Sequence, residues 1–409
     1  MKRITLLLLI ALAFGKAKTQ TSNDILNLLI ANKTITQQQA DSIRAEAAIK
    51  QQKTDSLRTS FGVEASKKLK LSGFTQVRYQ NFGNPAKNDA VDVRRARLSA
   101  KGSISSSWSY VLQVEFATAP KLLDAYAEYK FADYLRVQAG NIKIPLSLEN
   151  NTPTDKLETI DLSQVVESLC SRGQDVIGNF NGLDLGVKVT GDVVKIKDYN
   201  LINYAVGVFN GSGVNFSDNN KARDIGGRLV LQPIKNLKIG GGFYSGYANI
   251  PTTTTTVTTT TTTSASLVSK STSTLTTKTT SINQARNRIG IELSYEIKGL
   301  SFRGEYINGK DGRDSKWKDI NKEGYYAQIG YFVFPKKLQV IFKYDDYDQN
   351  TSFPADITTN YIFLLNYNFT PLVKLQGGYY FGDKSNRPFK GVALNSRNNF
   401  GVVQLQIGF

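Results

Sequence analysis

The chain ends with "VVQLQIGF" at Val402–Phe409, where apolar and polar side chains alternate up to the last residue. Successive side chains on a strand point to opposite faces, so a period of two predicts a strand with one oily and one wet face. Gln404 and Gln406 lie on the wet face. The oily face holds Val403, Leu405, Ile407 and Phe409. Chain ends usually carry little pattern, so we expect this strand to pair with the first one, near "LKLSGFTQVRY" (69–79), and close a sheet.

The same period of two runs from about residue 67 to the end of the chain. It is clear in "WSYVLQVEF" (108–116), "LDLGVKVTG" (183–191), "RIGIELSYEI" (288–297) and "VKLQGGYYF" (373–381). About 16 such segments follow one another, each near the roughly 9–11 residues that a tilted strand needs to cross a bilayer. Parallel strands need long crossovers, and no helical pattern interrupts the series, so the sequence predicts an antiparallel all-β fold.

Two features favour a membrane barrel over a soluble sandwich or propeller. Short links such as "FADY" (131–134) and "FPKK" (334–337) contrast with long connections near 144–178, 248–283 and 382–398. Aromatic residues recur on the oily face near strand ends, as in the girdles at two membrane interfaces. They are Tyr79, Trp108, Phe116, Phe243, Tyr247, Tyr331, Tyr361 and Phe369. We therefore predict a closed antiparallel outer-membrane β-barrel of about 16 strands over residues 67–409.

The start of the chain predicts export. "MKRITLLLLIALAFGKAKTQ" has a basic start, an apolar run and then small residues, which is the order of a secretory signal peptide with cleavage after Ala17. Elsewhere, no apolar run approaches the roughly 20 residues that a membrane helix needs. Cys170 is the single cysteine, so no internal disulfide is expected.

Residues 18–66 predict a short helical segment on the periplasmic side. Thr36 is a candidate N-cap, and Gln39 three residues later completes a capping-box pattern. Few apolar residues follow Ile43, so the segment is either an exposed helix or a weakly self-associating one. The predicted organisation is a signal peptide over 1–17, a helical segment over 18–66 and a barrel over 67–409.

The composition limits the possible functions. The chain has no histidine, which excludes Ser-His catalysis and imidazole metal sites, and we expect neither enzymatic activity nor a metal or other cofactor. A formal net charge of +17 indicates an anionic partner. Lipid, nucleic acid and small solutes are anionic candidates, and export makes nucleic acid the least favoured, so we expect no nucleic acid.

If the oily faces meet lipid, the wet faces line a lumen that holds both signs of charge. The predicted inward bases are Arg78, Arg95, Arg97, Lys101, Arg136, Lys188, Arg228, Lys238, Arg288, Arg303, Lys343 and Lys374. The predicted inward acids are Glu115, Asp124, Glu128, Asp184, Asp224, Glu292, Glu296, Glu305 and Asp345. On the lipid face a lysine or arginine costs about 2–4 kcal/mol at mid-depth, which supports this assignment of faces.

A subset of these residues forms the predicted anion site. Guanidinium forks suit phosphate or carboxylate oxygens, and Arg95 and Arg97 are the leading candidates. The other pore and anion-binding candidates are Arg78, Lys101, Arg136, Arg228 and Arg288. Glu115, Asp124 and Glu128 are assigned to an acidic wall of the lumen that would face the bases and orient dipolar solutes. The alternative is that the arginines pair with these carboxylates across adjacent strands and only support the wall.

Two long connections differ in composition. Residues 144–178 are chemically varied, and long connections of this kind are often functional, so they either fold into the pore as a constriction or form another surface loop. Asn249–Thr280 is dominated by threonine. Such low complexity predicts a mobile, solvated external tip, with a glycosylated or adhesive role as the alternative.

Several stretches resemble the phosphate-selective porin O and P family in its Bacteroidetes-type form. They are "VDVRRARLSAKG" (91–102), "LLDAYAEYKF" (122–131), "VQAGNIKIPLSLE" (137–149), "YAVGVFNGSG" (204–213), "ARDIGGRLVLQP" (222–233) and the aromatic end Phe409. The resemblance implies a barrel of about 16 strands in the bacterial outer membrane, a homotrimer, that passes small anions by diffusion. It also implies that Phe409 is an assembly signal for the barrel-assembly machinery.

The sequence therefore predicts an outer-membrane porin that prefers anions such as phosphate. Its expected partners are outer-membrane lipid, small anionic solutes, the barrel-assembly machinery and two further copies of the chain. The alternative is an outer-membrane anchor or adhesin that uses the threonine-rich segment.

Overall fold

The computed structural model describes residues 22–50, 69–84, 87–171, 182–263, 269–312, 319–353, 356–384 and 399–409. The chain divides into two compact units, 1–68 and 69–409. The predicted signal peptide (1–17) lies outside the described residues, as does the end of the predicted helical segment (51–66).

The described residues of the first unit form two helices, α1 (Ser22–Ala31) and α2 (37–50). The capping box that the sequence predicts is present, because the Gln39 amide N–H donates to the Thr36 hydroxyl over 3.2 Å and the Thr36 amide N–H donates to the Gln39 side chain over 2.9 Å. Leu26 and Ala40 are buried. Among the described residues, no helix has the length and apolar content needed to span a membrane.

The second unit is a closed barrel of sixteen antiparallel strands, which confirms the predicted fold class. The predicted segments correspond one to one to these strands, and the chain order is also the spatial order. The strands are β1 (Lys70–Phe82), β2 (Ala90–Ser103), β3 (Trp108–Glu115), β4 (Lys121–Ala132), β5 (Leu135–Lys143), β6 (Leu183–Ile196), β7 (Tyr199–Phe209), β8 (Asp224–Ile234), β9 (Leu237–Thr263), β10 (Ser269–Ile297), β11 (Leu300–Asp311), β12 (Ile320–Phe334), β13 (Leu338–Asp348), β14 (Ile357–Thr370), β15 (Val373–Lys384) and β16 (Phe400–Gly408).

The alternation separates an exposed apolar outside from a polar inside. On β14, Phe363 and Leu365 point outward and are about half exposed, whereas Asn366 points inward and is buried. The eight aromatic residues predicted for the girdles are all exposed on the outer surface. Since apolar side chains gain free energy by leaving water, this outer surface fits the hydrocarbon of a membrane.

The final strand closes the barrel against the first, as the sequence predicts. Thr75 lies opposite Ile407, and inside the barrel the Gln76 amide donates to the Gln406 side chain over 2.7 Å. At the end of the seam the Phe409 amide donates to the Gly73 carbonyl over 3.0 Å. A Cβ at Gly73 would lie 2.6 Å from the Phe409 ring, so the terminal ring covers a position where only glycine fits.

The two ends of the barrel differ in their connections, as expected. At one end the strands are joined by short links such as 133–134, 197–198, 235–236, 298–299 and 371–372, and we call this the short-turn end. The opposite, long-loop end carries the connection 144–182 and the threonine-rich segment.

The threonine-rich segment differs from its prediction. The sequence predicts a mobile, solvated external tip without strand structure of its own, but β9 and β10 continue through it as a paired hairpin in which Thr252 lies opposite Thr280 and Thr263 opposite Ser269. Threonine is β-branched and favours strand conformations. Reading the segment only as low complexity missed this backbone preference.

Candidate functional site: the barrel lumen and its inserted loop

The connection between β5 and β6 folds into the barrel, which decides between the two possibilities that the sequence left open. Of this inserted loop (144–182), the structure describes 144–171 and 182, including α3 (Leu148–Asn151), α4 (Gln164–Val166) and a π-helical turn (Glu167–Ser171). Its apolar side chains, among them Ile144, Leu146 and Val165, are almost fully buried. They pack against inward-facing Tyr244, Ile307, Tyr326 and Tyr347 of the wall. The loop therefore has its own apolar contact with the barrel interior.

A buried charge network fixes α3 to strands β11–β13. The Lys343 ammonium, which has no exposed surface, donates to Glu149 over 2.6 Å. The amides of Leu148 and Glu149 donate to the Glu305 carboxylate over 2.9 and 2.7 Å, and the Tyr326 hydroxyl donates to it over 2.8 Å. The first N–H groups of a helix lack intrahelical partners, so Glu305 satisfies groups that would otherwise be unpaired inside the barrel.

The second half of the loop is held in the same way. Glu149 also accepts hydrogen bonds from the Ser163 amide and hydroxyl, both over 2.6 Å, which ties α3 to the residue before α4. The Gln164 amide donates to Asp345 on β13 over 3.0 Å. The inward acids Glu305 and Asp345 therefore position the loop.

Between α3 and α4 the loop crosses β14 and β15. The Glu158 carbonyl accepts hydrogen bonds from Asn366 over 2.8 Å and from Gln376 over 3.0 Å. The Lys374 ammonium donates to the carbonyl of Leu157 over 2.9 Å. These inward side chains bind loop backbone, so they face the loop and not an open channel.

The loop then reaches β1 and β2. Asp161 forms an ion pair with Arg94, and it lies 3.6 Å from Arg78, which also pairs with Asp92 over 2.6 Å. Sequence reasoning missed Arg94, because strict alternation points it outward. A register shift between β1 and β2, where Gln76 pairs with Arg95 and Val77 with Val93, inserts Arg94 as an extra residue. A bulge of this kind redirects a side chain and is not visible in the period.

Three predicted anion candidates lie inside the barrel but are committed to such contacts. Arg78 pairs with two carboxylates behind the loop. Arg95 is 1% exposed and donates to Gln76 over 2.8 Å. The Arg288 side chain is fully buried and lies 2.7 Å from Asp311, where Lys322 also binds. Their geometry favours a supporting role over solute contact.

Arg97, the second leading candidate, pairs with Glu115 on the adjacent strand over 2.8 Å and donates to Thr154 of the loop over 2.9 Å. Glu128 accepts a hydrogen bond from Gln138 over 2.7 Å. Asp124 interacts electrostatically with four bases, namely Lys143, Arg97, Lys188 and Lys101. The expectation of a separate acidic wall therefore differs from the structure: β2, β3 and β4 are neighbours, so their inward acids and bases meet across strands.

Two of the predicted inward bases, Arg228 and Lys238, line open space between α3 and strands β6–β9. This β6–β9 cavity has a volume of about 560 Å³. Arg228 lines it and forms two hydrogen bonds with Glu292, of 3.0 and 2.5 Å. Arg136 pairs over 2.6 Å with Asp192, another lining residue. In the described ranges, no group of three or more acidic or cysteine side chains could hold a metal ion.

Two of the predicted inward bases remain accessible. Lys101 on β2 and Lys238 on β9 are exposed, and Lys238 lines the β6–β9 cavity. Neither forms an ion pair or side-chain hydrogen bond with a residue that the structure describes. Both of these accessible charges on the lumen wall are basic.

A comparison with protein families connects this architecture to a known group. The sequence model of the family "Phosphate-selective porin O and P" matches residues 70–386, which form most of the barrel. The chain belongs to this family. It is thus an outer-membrane porin, as the resemblance of its sequence motifs implied.

Solved structures share this porin's fold. An anion-selective porin from Comamonas acidovorans aligns with a TM-score of 0.59 and 15% identity, over 83% of this chain and 99% of that chain. The in-vitro folded, trimeric form of OmpT from Vibrio cholerae aligns with a TM-score of 0.55 and 14% identity, over 83% and 99%. The channel DcaP of Acinetobacter baumannii gives 0.54 and 12%, over 83% and 97%. At these identities the similarity establishes the fold. A comparison with curated proteins finds no match.

Proposed function

We propose that this porin lets small hydrophilic solutes diffuse passively across the outer membrane, with a preference for anions such as phosphate. The observation that carries the preference is the accessibility of Lys101 and Lys238. On the strands next to these lysines, the inward acids Glu115 of β3 and Glu292 of β10 are paired with arginines. A net basic field in a narrow, water-filled channel raises the local concentration of anions, more strongly at low salt.

Three of the seven predicted anion residues keep a place in this proposal. Lys101 is exposed, and the side chains of the paired residues Arg136 and Arg228 are partly exposed, whereas Arg97 is buried against Glu115. A passing anion would exchange hydrogen bonds with these groups one after another. Weak, repeated contacts of this kind permit both entry and release.

The orientation and assembly follow from general barrel rules. Outer-membrane barrels keep their short turns in the periplasm, so the short-turn end and the helical segment before β1 would lie there. The trimeric OmpT structure favours a homotrimer for this porin as well. Phe409, 67% exposed at the end of the seam, is suited to recognition by the barrel-assembly machinery before closure and to contact with lipid afterwards.

Planar-bilayer recording of the purified protein tests the proposal. We expect stepwise conductance and, under a potassium chloride gradient, a reversal potential whose sign shows that chloride is more permeant than potassium. Absence of steps would refute diffusion through the barrel, and a potential of the opposite sign would refute the preference for anions.

A test of Phe409 uses Phe409→Ala and measures folding by heat-modifiable mobility in gels. Fewer folded barrels with unchanged conductance per barrel would support an assembly role. Normal folding yields would remove that role from the terminal ring.

A further inference from the structure

We infer that the β6–β9 cavity binds small polyhydroxylated solutes that carry one anionic group, such as a sugar acid or a sugar phosphate. The inference rests on the proposed porin function and specifies a class of solute for it. Charge balance, free amide groups and cavity size lead to the same class.

The charges around the cavity cancel except for one. Arg228 is paired with Glu292, Arg136 with Asp192 and Lys235 with Asp198. Lys238 is exposed and has no ion pair within the described ranges. One uncompensated positive charge suits a solute with one anionic group. Free inorganic phosphate fits less well, because tight phosphate recognition uses several convergent charged donors.

The other free groups are amides. Asn200, Gln232 and Asn236 line the cavity, and their side chains make no hydrogen bond to any residue that the structure describes. A carboxamide has two donor hydrogens and one acceptor oxygen. A sugar hydroxyl also donates and accepts, so these groups match a solute with several hydroxyls better than they match a simple anion.

The loop side of the cavity is fixed in advance. The side-chain amide nitrogen (Nδ2) of Asn151 lies 3.2 Å from the Ile144 carbonyl and 2.9 Å from the carbonyls of Leu146 and Ser147. Its donors are therefore engaged by the loop, and its side-chain oxygen is the group left to accept a hydrogen bond. A site that is largely formed before the ligand arrives loses less free energy on binding.

Size and lining also fit a small organic solute. The volume of about 560 Å³ lies in the usual range for small-molecule sites. Leu148, Pro153 and Val230 add apolar surface to the lining. Such patches can pack against the C–H face of a sugar, while the amides bind its hydroxyls.

Isothermal titration calorimetry on the full-length, detergent-solubilised protein tests the inference. The ligands are sodium gluconate, glucose 6-phosphate, uncharged glucose and inorganic phosphate. We expect gluconate or glucose 6-phosphate to bind about tenfold more tightly than glucose or phosphate, the loss expected for one charge-assisted hydrogen bond. The tighter of the two identifies a carboxylate or a phosphate as the anionic group. Equal binding of all four ligands, or no binding, would overturn the inference.

Variants locate the site. Lys238→Gln should reduce gluconate and glucose 6-phosphate affinity about tenfold to the level of glucose. Asn200→Ala/Gln232→Ala should weaken all three sugars together. Lys298→Gln removes one positive charge at the same end of the barrel outside the cavity and should bind like the parent. Equal affinity of Lys238→Gln and the parent protein would refute the site.

Binding and conduction separate this inference from the proposed function. Sugar-acid binding without stepwise conductance would support the cavity and refute the channel. Conductance without selective binding would support the proposed channel function and refute the proposed binding site in the cavity.

Discussion

The two halves of the lumen wall are built from the same alternating strands, yet their charged residues have different roles. Strands β10–β16 and β1 form the docked wall, where Lys343, Lys374 and Asp345 bind the inserted loop. Strands β3–β9 form the open wall, where the loop also packs on Tyr244 but Arg228 faces the cavity and Lys238 is accessible. β2 lies between them, since its Arg94 contacts the loop and its Lys101 is exposed.

A charged side chain that points into the barrel does not necessarily contact solute. Burying a charge is expensive unless it is paired and hydrogen-bonded, so the docked wall needs its basic and acidic groups to hold the loop in place. The opposite side keeps charges, such as those of Arg228 and Lys238, next to a cavity that water and solutes can reach.

The largest effect should follow from breaking the contact between the loop and the docked wall. Glu149→Ala leaves the ammonium of Lys343 buried without its partner, a change that costs about 3–5 kcal/mol in comparable buried pairs. We expect the loop to detach and single-channel conductance to rise about twofold as the lumen widens. Glu149→Gln/Lys343→Met, which removes both charges, should recover much of the parent conductance.

The control for that prediction is Glu296→Gln. Glu296 also pairs with a wall residue, Arg303, over 3.1 Å, but its side chain is 58% exposed. Surface pairs contribute little, so its conductance should match the parent. If Glu149→Ala conducts like the parent as well, the buried pair does not hold the loop.

Cys170 reports the same detachment independently. It lies in the loop, is buried against the barrel wall, and burial raises the pKa of its thiol. Since the thiolate is the reactive form, maleimide labelling of the folded parent at pH 7 should be slow. Labelling of Glu149→Ala should be about tenfold faster, in proportion to the fraction of open loops. Equal rates would show that the loop stays docked.

A smaller effect should separate exposed bases from buried ones. Lys101→Gln and Lys238→Gln each remove an accessible charge, so each should move the reversal potential toward zero, more at low salt than at high salt. Arg95→Gln also removes one charge, but at a position that is 1% exposed behind the loop. Its reversal potential should remain close to that of the parent. A larger shift of the reversal potential for Arg95→Gln than for the two lysine variants would contradict the claim that exposed bases set the selectivity.

The smallest effect should come from shortening the threonine hairpin. Residues 252–280 are removed and the two strands are joined by a short turn. This leaves in place the parts of β9 and β10 that form the barrel wall, together with their inward residues. We expect unchanged conductance and selectivity in the bilayer. Loss of conduction would show that the hairpin belongs to the channel.

The sequence predicted the features that depend on local periodicity. All sixteen strands and the closing seam follow from the period of two, because a register error of one residue would turn a whole face toward the wrong solvent. The same period also predicts which charges face inward, among them Lys343 and Arg228. A local period of this kind can be recognised without knowledge of the contacts between residues that are distant in sequence.

The features that the sequence could not predict depend on the path of the loop and on local irregularities. Arg94 turns inward because of a bulge, and Arg95 is covered because Asp161 and its neighbours cross over β1 and β2. Nothing in the spacing of "VRRAR" signals either event. The choice between solute contact and structural pairing therefore needed the three-dimensional arrangement.

The most direct test of the account is the reversal potential of Lys101→Gln/Lys238→Gln under a potassium chloride gradient, measured beside the parent protein. The account predicts an anion-selective parent and a double variant that loses most of this selectivity while its conductance steps persist. A double variant that remains as anion-selective as the parent would contradict the assignment of the preference to the exposed bases of the lumen.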